Sequence, residues 1–291
     1  MTNHVKILIV GGNGFVGSAL SKSLSRYFQV YSTFRRSYTP VKNVIHLPLP
    51  SLSEKEICDR MIQAVEPNVV IYCLGSNNEA EAERDPRGFQ TLHSGGLTHL
   101  IHAVDLLKSK FIYISSDFIF SGLEGNFYES DSTVPATQIG KAKLGAENIV
   151  KTRSLNHLIV RCAPLIGRGT LDHTSWLDHV RESILLQKKI EMPSRASHNP
   201  VHISFLSDLL KKAIERDLRN KILHVGGLTK ITPYELSRQF LLKIGLPTEL
   251  IEPADTVGTN ASKIDYSLNF TETLKLVEAE PLLLEQSLDL L

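Results

Sequence analysis

The stretch Gly11-Gly12-Asn13-Gly14-Phe15-Val16-Gly17 stands directly behind a short apolar run, Val5–Val10, and opens an amphipathic one. Glycines at 11, 14 and 17 allow a tight turn, a close approach of backbone N–H groups to an anion, and close packing of helix on strand. That chemistry is pyrophosphate binding, and it assigns Gly11, Asn13, Gly14, Phe15, Val16 and Gly17 to a dinucleotide. A dinucleotide fold selective for NAD places an acid about 20 residues further on, against the adenosine ribose. Here the chain reads Thr33-Phe34-Arg35-Arg36-Ser37 instead. A guanidinium suits the 2′-phosphate of NADP through charge-assisted, bidentate contacts, so Arg35 and Arg36 favour NADP over NAD. Leu74-Gly75-Ser76 has the small residues of a turn that passes beside the cofactor riboses, whereas Leu47-Pro48-Leu49 offers no acid near the adenine.

Such a turn needs a strand before it and a helix after it, and the rest of the chain supplies the matching sheet. Short apolar runs alternate with longer amphipathic stretches, the pattern of a parallel sheet covered by helices. Strands are expected at Val5–Val10, Gln29–Thr33, Val44–Leu47, Val69–Cys73, Phe111–Ser115 and His157–Cys162. Helices are expected at Phe15–Tyr27, Glu54–Val65, Gly88–Leu107 and Ala136–Thr152. After Pro164 the pattern loosens into shorter pieces, with helices at Trp176–Gln187, Phe205–Arg216 and Pro233–Ile244. The fold class is α/β: a Rossmann-like, doubly wound parallel sheet with a smaller C-terminal α/β substrate lobe. Residues 1–165, joined again by 201–230, would form the dinucleotide-binding domain. Residues 166–200 and 231–291 would form the lobe, over the strand ends where open α/β sheets bind ligands.

Two further segments complete a recognisable set: Ile112-Tyr113-Ile114-Ser115-Ser116-Asp117-Phe118-Ile119-Phe120-Ser121-Gly122 and Ile139-Gly140-x-x-Lys143-x-x-x-Glu147. With the glycine turn they resemble an extended, atypical short-chain dehydrogenase/reductase, nearest in flavour to the dTDP-4-dehydrorhamnose reductase group. In that group the corresponding strand typically reads Ser-Thr-Asp-Tyr-Val-Phe-x-Gly, and its members include a regulatory subunit as well as enzymes. The resemblance places Ser116 where a hydroxyl polarises a substrate carbonyl and Lys143 where a lysine holds the nicotinamide ribose. It places Asp117 beside the substrate, Phe118 at a position usually tyrosine, and His93 where an asparagine is usual. Above all it places Ile139 at the position of the catalytic tyrosine, which an alkyl side chain cannot replace as a proton donor. The resemblance spans the whole chain, with specific motifs in roughly its first 170 residues.

The remaining reactive residues form no second centre. His93, His99 and His102 share one expected helix with no thiol or acidic cluster to complete a metal site, so no metal is expected. His198 and His202 flank Pro200. By resemblance their loop lines the substrate pocket, making Arg195 and His198 candidates for gripping a diphosphate or carboxylate. Cys58, Cys73 and Cys162 lack metal-ligand spacing and read as reduced thiols. Glu79, Glu81 and Glu83 read as a solvated helix start, with Glu79 and His93 the bases that a non-redox reaction would need.

A formal net charge of +1 over 291 residues, with no basic run, argues against nucleic acid and membrane surfaces as partners. No signal or membrane segment is legible, so a soluble cytoplasmic protein is expected. Three functions stay open: an NADP(H)-dependent reductase or epimerase acting on a nucleotide sugar or related carbonyl compound with weak or atypical redox chemistry, a non-catalytic NADP(H)-binding regulatory subunit or sensor, and a non-redox lyase or isomerase. The expected partner is a small-molecule substrate such as a nucleotide sugar, with a homo-oligomer or a partner subunit as the further candidates.

Overall fold

A computed structural model describes residues 5–49, 51–76, 78–170, 173–254 and 264–291, with the side chain of Glu79 also outside the description. The first half of the sheet is built from β1 (Lys6–Val10), α1 (Phe15–Leu24), β2 (Gln29–Phe34), β3 (Val44–Pro48), α2 (Lys55–Val65) and β4 (Val69–Tyr72). Helices α3 (Glu79–Arg84), α4 (Pro86–Ser94) and α5 (Leu97–Leu106) lead to β5 (Lys110–Ser116), and α6 (Gln138–Arg153) leads to β6 (His157–Cys162). Then come β7 (Leu165–Ile166), α7 (Trp176–Leu185), β8 (Ile190–Pro193), β9 (Ala196–Ser197), β10 (Val201–His202), α8 (Ile203–Glu215) and β11 (Lys221–Val225). The chain closes with α9 (Pro233–Lys243), β12 (Ile251–Ala254), β13 (Ile264–Asp265), α10 (Thr271–Val277) and α11 (Leu284–Asp289).

Seven strands pair in the order β11-β6-β5-β4-β1-β2-β3, and every pairing is parallel. The order reverses between β1 and β4, which opens a crevice at their C-terminal ends. All residues of β4 and β5 are buried, as expected of strands covered on both faces. One face packs against α1 and α8 through Leu20, Leu24, Leu206 and Leu210. The other packs against α2 and α5 through Ile62, Leu100 and Val104. A separate core joins α7, α9 and α11 through Val180, Leu241 and Leu288. Short two-stranded pairs, β7 with β10, β8 with β12 and β9 with β13, connect these later elements. Among the described residues no helix is long and apolar enough to cross a membrane.

The expected helix over Gly88–Leu107 is two helices. Gly96 has φ +76° at the start of α5, and a Cβ there would lie 2.0 Å from the Leu52 carbonyl oxygen. Extended backbone at Gly95 ends α4, and the missing side chain at the left-handed Gly96 lets the chain press onto the loop before α2. Asp85 and Pro86 explain why α4 begins two residues earlier than expected, since Asp85 accepts from the Gly88 N–H and Pro86 occupies the first turn.

One buried ion pair ties the second half of the sheet to its covering helix. Arg161 of β6 donates from Nε and Nη2 to Glu147 of α6, at 3.1 and 3.0 Å. Ser115 of β5 donates to the same carboxylate at 2.6 Å. Arg161 also donates from Nη1 to the Glu129 carbonyl and lies over the Phe120 ring, 5.3 Å from its centroid. Burial alone would raise the Glu147 pKa, but the guanidinium and the serine hydroxyl hold it below the ordinary carboxylate value. Glu147→Gln should therefore leave Arg161 buried without a counter-charge and cost about 3–5 kcal/mol. Urea unfolding would check this, and a loss well below that range would show that the pair is dispensable.

Candidate active site

The glycine turn has the backbone geometry that anion binding requires. Gly11 has φ +85°, and its N–H donates to Thr33 Oγ1 of β2 at 3.0 Å, pinning the turn to the neighbouring strand. A Cβ on Gly17 would lie 2.2 Å from the Gly11 carbonyl oxygen, so α1 seats directly on the turn only because that residue is glycine. Gly14 caps α1 without a side-chain hydrogen bond, which leaves the first-turn N–H groups around Phe15 and Val16 facing outward from the helix end. Asn13 reaches sideways: its Nδ2 donates to the Ser37 carbonyl at 2.9 Å, and its Oδ1 accepts from the Thr39 N–H at 3.4 Å. The loop carrying Arg35 and Arg36 is thus tied to the glycine turn. Both arginines are exposed. This cradle fits a dinucleotide.

Across the switch point, Leu74 and Gly75 continue from β4, and Leu74 touches the turn, with its Cδ2 2.9 Å from where a Gly11 Cβ would stand. The His93 ring lies directly under Gly75, whose Cβ would be 2.3 Å from His93 Cε1. His93 is fully buried. Its Nε2 meets the Ser76 N–H at 3.2 Å and the Ser76 carbonyl at 3.1 Å, while Nδ1 has no partner. Burial, reinforced by the Lys143 cation, lowers its pKa to about 3, so the ring is neutral and props the turn after β4. Lys143 is buried too. Its Nζ donates to the Ile114 carbonyl at 3.1 Å, and desolvation lowers its pKa to about 8.

Ser116, Asp117, Phe118 and His198 meet at the end of β5. Ser116 Oγ donates to Asp117 Oδ1 at 2.9 Å and accepts from the Phe118 N–H at 3.3 Å. Asp117 Oδ2 lies 2.6 Å from His198 Nδ1. The His198 ring stacks on Tyr266, with centroids 5.2 Å apart, and meets the edge of Phe118. Arg195 stands apart from this group. It lines a cavity of about 460 Å³ together with Ser197, Lys230, Thr232 and Asp265, and its neighbour Ser197 is also the neighbour of His198 in sequence.

Ile139 faces no open space. It is buried among Ala82, Phe89 and Ala142, with Phe118 against the same cluster. Neither Tyr113 nor Tyr128 offers a phenol in its place. Tyr113 is fully buried with an unpartnered hydroxyl, and Tyr128 is 46% exposed on its loop. Tyr266, which sequence reasoning passed over, brings a phenol ring into the group, although its Cζ packs toward Gly122. No motif marks Tyr266; only folding brings it beside His198. Arg161 was also missed, and its signal was a charge inside an apolar strand. Glu79 as an alternative base lies outside the described side chains. Among the described residues no group of three or more His, Cys, Asp or Glu side chains could hold a metal ion, and all three cysteines are unpaired.

Placing a phenol at position 139 should overfill its apolar pocket. Ile139→Tyr is expected to destabilise the fold by about 1–3 kcal/mol. Thermal or urea unfolding would check this, and unchanged stability would mean that the space around residue 139 opens more readily than its packing implies.

Comparisons with known proteins agree with this architecture. The family described as RmlD substrate binding domain matches residues 5–279. Methionine adenosyltransferase 2 subunit beta of Rattus norvegicus is 23% identical over 255 residues, 85% of this chain and 75% of that one. The dTDP-4-dehydrorhamnose reductase of Aggregatibacter actinomycetemcomitans is 23% identical over 163 residues, 56% of this chain and 52% of that one. Among solved structures, the dTDP-4-dehydrorhamnose reductase of Bacillus anthracis in complex with NADP superposes with a TM-score of 0.82 at 19% identity, covering 98% of each chain. The UDP-glucose 4-epimerase of Thermotoga maritima with UDP-glucose gives 0.81 at 20% identity, covering 98% of this chain and 97% of that one. The family match over most of the chain, with a seven-stranded Rossmann-like sheet beneath it, establishes that this protein belongs to the RmlD substrate binding domain family.

Proposed function

We propose that this protein binds NADP(H) and reduces a nucleotide sugar or related carbonyl compound by weak, atypical redox chemistry. The observation that carries the reading is the pairing of an intact cradle with a reaction centre that keeps its hydroxyl and its lysine while Ile139 is sealed in apolar packing. Gly11, Asn13, Gly14, Phe15, Val16 and Gly17 would hold the pyrophosphate. Arg35 and Arg36 would hold a 2′-phosphate, Leu74 and Gly75 would pass beside the riboses, and Lys143 would bind the nicotinamide ribose. When bound, the cofactor supplies a hydride, which is the hard part of the chemistry. Ser116 would hydrogen-bond the substrate oxygen, with Asp117, Phe118, His93, Arg195 and His198 around the substrate. Residues 1–165 with 201–230 would carry the dinucleotide, and 166–200 with 231–291 would cover the substrate. A Bacillus anthracis relative solved with NADP and a Thermotoga maritima one solved with UDP-glucose support the choice of ligands.

A second reading, a non-catalytic NADP(H)-binding regulatory subunit or sensor, is favoured by the closure of Ala82 and Phe89 over Ile139 and by the resemblance to a subunit beta. In that case a partner subunit would read cofactor occupancy. The non-redox lyase or isomerase is the weakest of the three, because His93, one of its two possible bases, is enclosed beneath Gly75 and, with its pKa lowered to about 3, has little affinity for a proton.

A panel of nucleotide sugars and simple carbonyl compounds separates the first two readings. The reductase reading expects NADPH oxidation about 10²–10⁴-fold slower than with a positioned general acid, falling further in Ser116→Ala. Micromolar NADPH binding with no oxidation by any member would establish the subunit reading instead. For the cofactor, replacing Arg35 and Arg36 by alanine should weaken NADPH about 10–100-fold, the equivalent of one or two charge-assisted contacts, and leave NADH nearly unchanged. Equal weakening of the two cofactors in calorimetric titrations would remove the 2′-phosphate assignment.

A further inference from the structure

We propose that Asp117 and His198 form a proton relay behind Ser116, standing in for the phenol that Ile139 cannot supply; the proposal rests on the reductase reading above. The hydrogen bonds run in one line, from Ser116 Oγ to Asp117 Oδ1 at 2.9 Å and from Asp117 Oδ2 to His198 Nδ1 at 2.6 Å. All three side chains are buried, with Ser116 the most exposed at 7%, His198 at 4% and Asp117 at 1%. Burial makes the order of bonds meaningful, because a carboxylate this enclosed needs donors on both oxygens. Ser116 supplies one and the His198 Nδ1–H supplies the other.

This arrangement differs from a hydrolytic triad, in which the imidazole lies between the serine and the carboxylate. Here the carboxylate is in the middle, so the serine is not activated as a nucleophile. It can instead exchange a proton with the carboxyl group. Before reduction the relay holds one extra proton on Asp117 Oδ1, which donates to Ser116 Oγ, while Ser116 donates to the substrate carbonyl oxygen. As a hydride and its electron pair reach the carbonyl carbon, the carbon–oxygen π pair moves onto oxygen. That oxygen takes the Ser116 proton, and Ser116 takes the proton of Asp117. Asp117 is left as the carboxylate that accepts from both Ser116 and His198, which is the arrangement the structure shows. Water returns one proton, so one NADPH, one carbonyl group and one proton give one NADP⁺ and one alcohol.

His198 acts through Asp117 and is a positioning residue. Its ring is fixed by the stack on Tyr266, the edge of Phe118, and a backbone pairing in which the His198 N–H donates to the Ile231 carbonyl at 3.0 Å. These contacts set the ring plane so that Nδ1 alone faces the carboxylate.

The test combines kinetics with nitrogen NMR of the full chain bearing ¹⁵N-labelled histidine. Asp117→Asn should lower kcat about 10²–10⁴-fold with the accepted carbonyl, as removal of a general acid does, and should change NADPH affinity less than twofold. His198→Ala should lower kcat, and His198→Asn should restore most of it, because an asparagine amide offers a donor at the position of Nδ1. A purely structural role would raise KM or reduce stability in both variants without such rescue. Independently of turnover, the His198 ring should carry its proton on Nδ1. If Asp117→Asn folds poorly, the comparison of the two His198 variants and the NMR assignment decide the matter. Turnover that survives Asp117→Asn, or a His198 ring protonated only at Nε2, would overturn the relay and leave the reductase reading in place. A wild-type protein that binds NADPH and reduces no carbonyl would overturn the reductase reading and the relay with it.

Discussion

The second half of the sheet depends on the buried pair between Glu147 and Arg161. Arg161 has less than 2% of its surface exposed and Glu147 has none, so neither can lose its partner to water. Through Ser115, Glu147 and the Glu129 carbonyl the pair joins β5, α6, β6 and the loop before α6. His224 of β11 extends it: its Nε2 lies 3.4 Å from Arg161 Nη1, and burial beside that cation lowers its pKa to about 4. A buried ion pair is weak evidence of net stabilisation, since desolvation offsets much of the attraction. Its structural effect is positional. Glu147 lies one turn beyond Lys143 on α6, so the contact that anchors the helix also fixes how deeply the lysine sits behind β5.

That anchoring separates two regions which sequence motifs treat as one. The glycine turn, the loop after β4 and Lys143 form a rigid floor at the C-terminal edge of the sheet. Above it, α3 and α4 close down through Ala82 and Phe89 onto Ile139, enclosing that side chain in hydrocarbon. Polar groups are not lost from the centre as a whole. They gather at Asp117, His198 and Tyr266, where loops from the later part of the chain meet the end of β5.

Much of the sheet was legible in sequence because continuous apolar runs leave little choice. Val69–Tyr72 and His157–Cys162 could be covered only on both faces, and the Gly11–Gly17 spacing fixed where the first turn belonged. Thr137 at the start of α6 and Asp85 before Pro86 are local signals that the structure uses as caps. Three kinds of feature were not legible. The break at Gly95-Gly96 depends on the Leu52 carbonyl, a contact distant in sequence. The short pairs β9 with β13 and β7 with β10 have two residues each, too few for any periodicity to register. The link from Asp117 to His198 spans 81 positions, and nothing in either local sequence announces the other. The candidate residues could therefore be named from the sequence, while the bonds among them could not.

The Asn13 side chain gives the nucleotide end of the molecule a property beyond that of a connector. By holding the Ser37 carbonyl and the Thr39 N–H, it restrains the arginine-bearing loop before any ligand arrives. Ordering a flexible loop opposes association, whereas a loop already tethered brings much less of that entropy loss into the binding step. The two ends of a phosphorylated adenosine would then meet a single preorganised surface. Affinities for two anionic groups of one ligand, at the glycine turn and at the arginines, would then be thermodynamically coupled through one amide, with no movement of the sheet required.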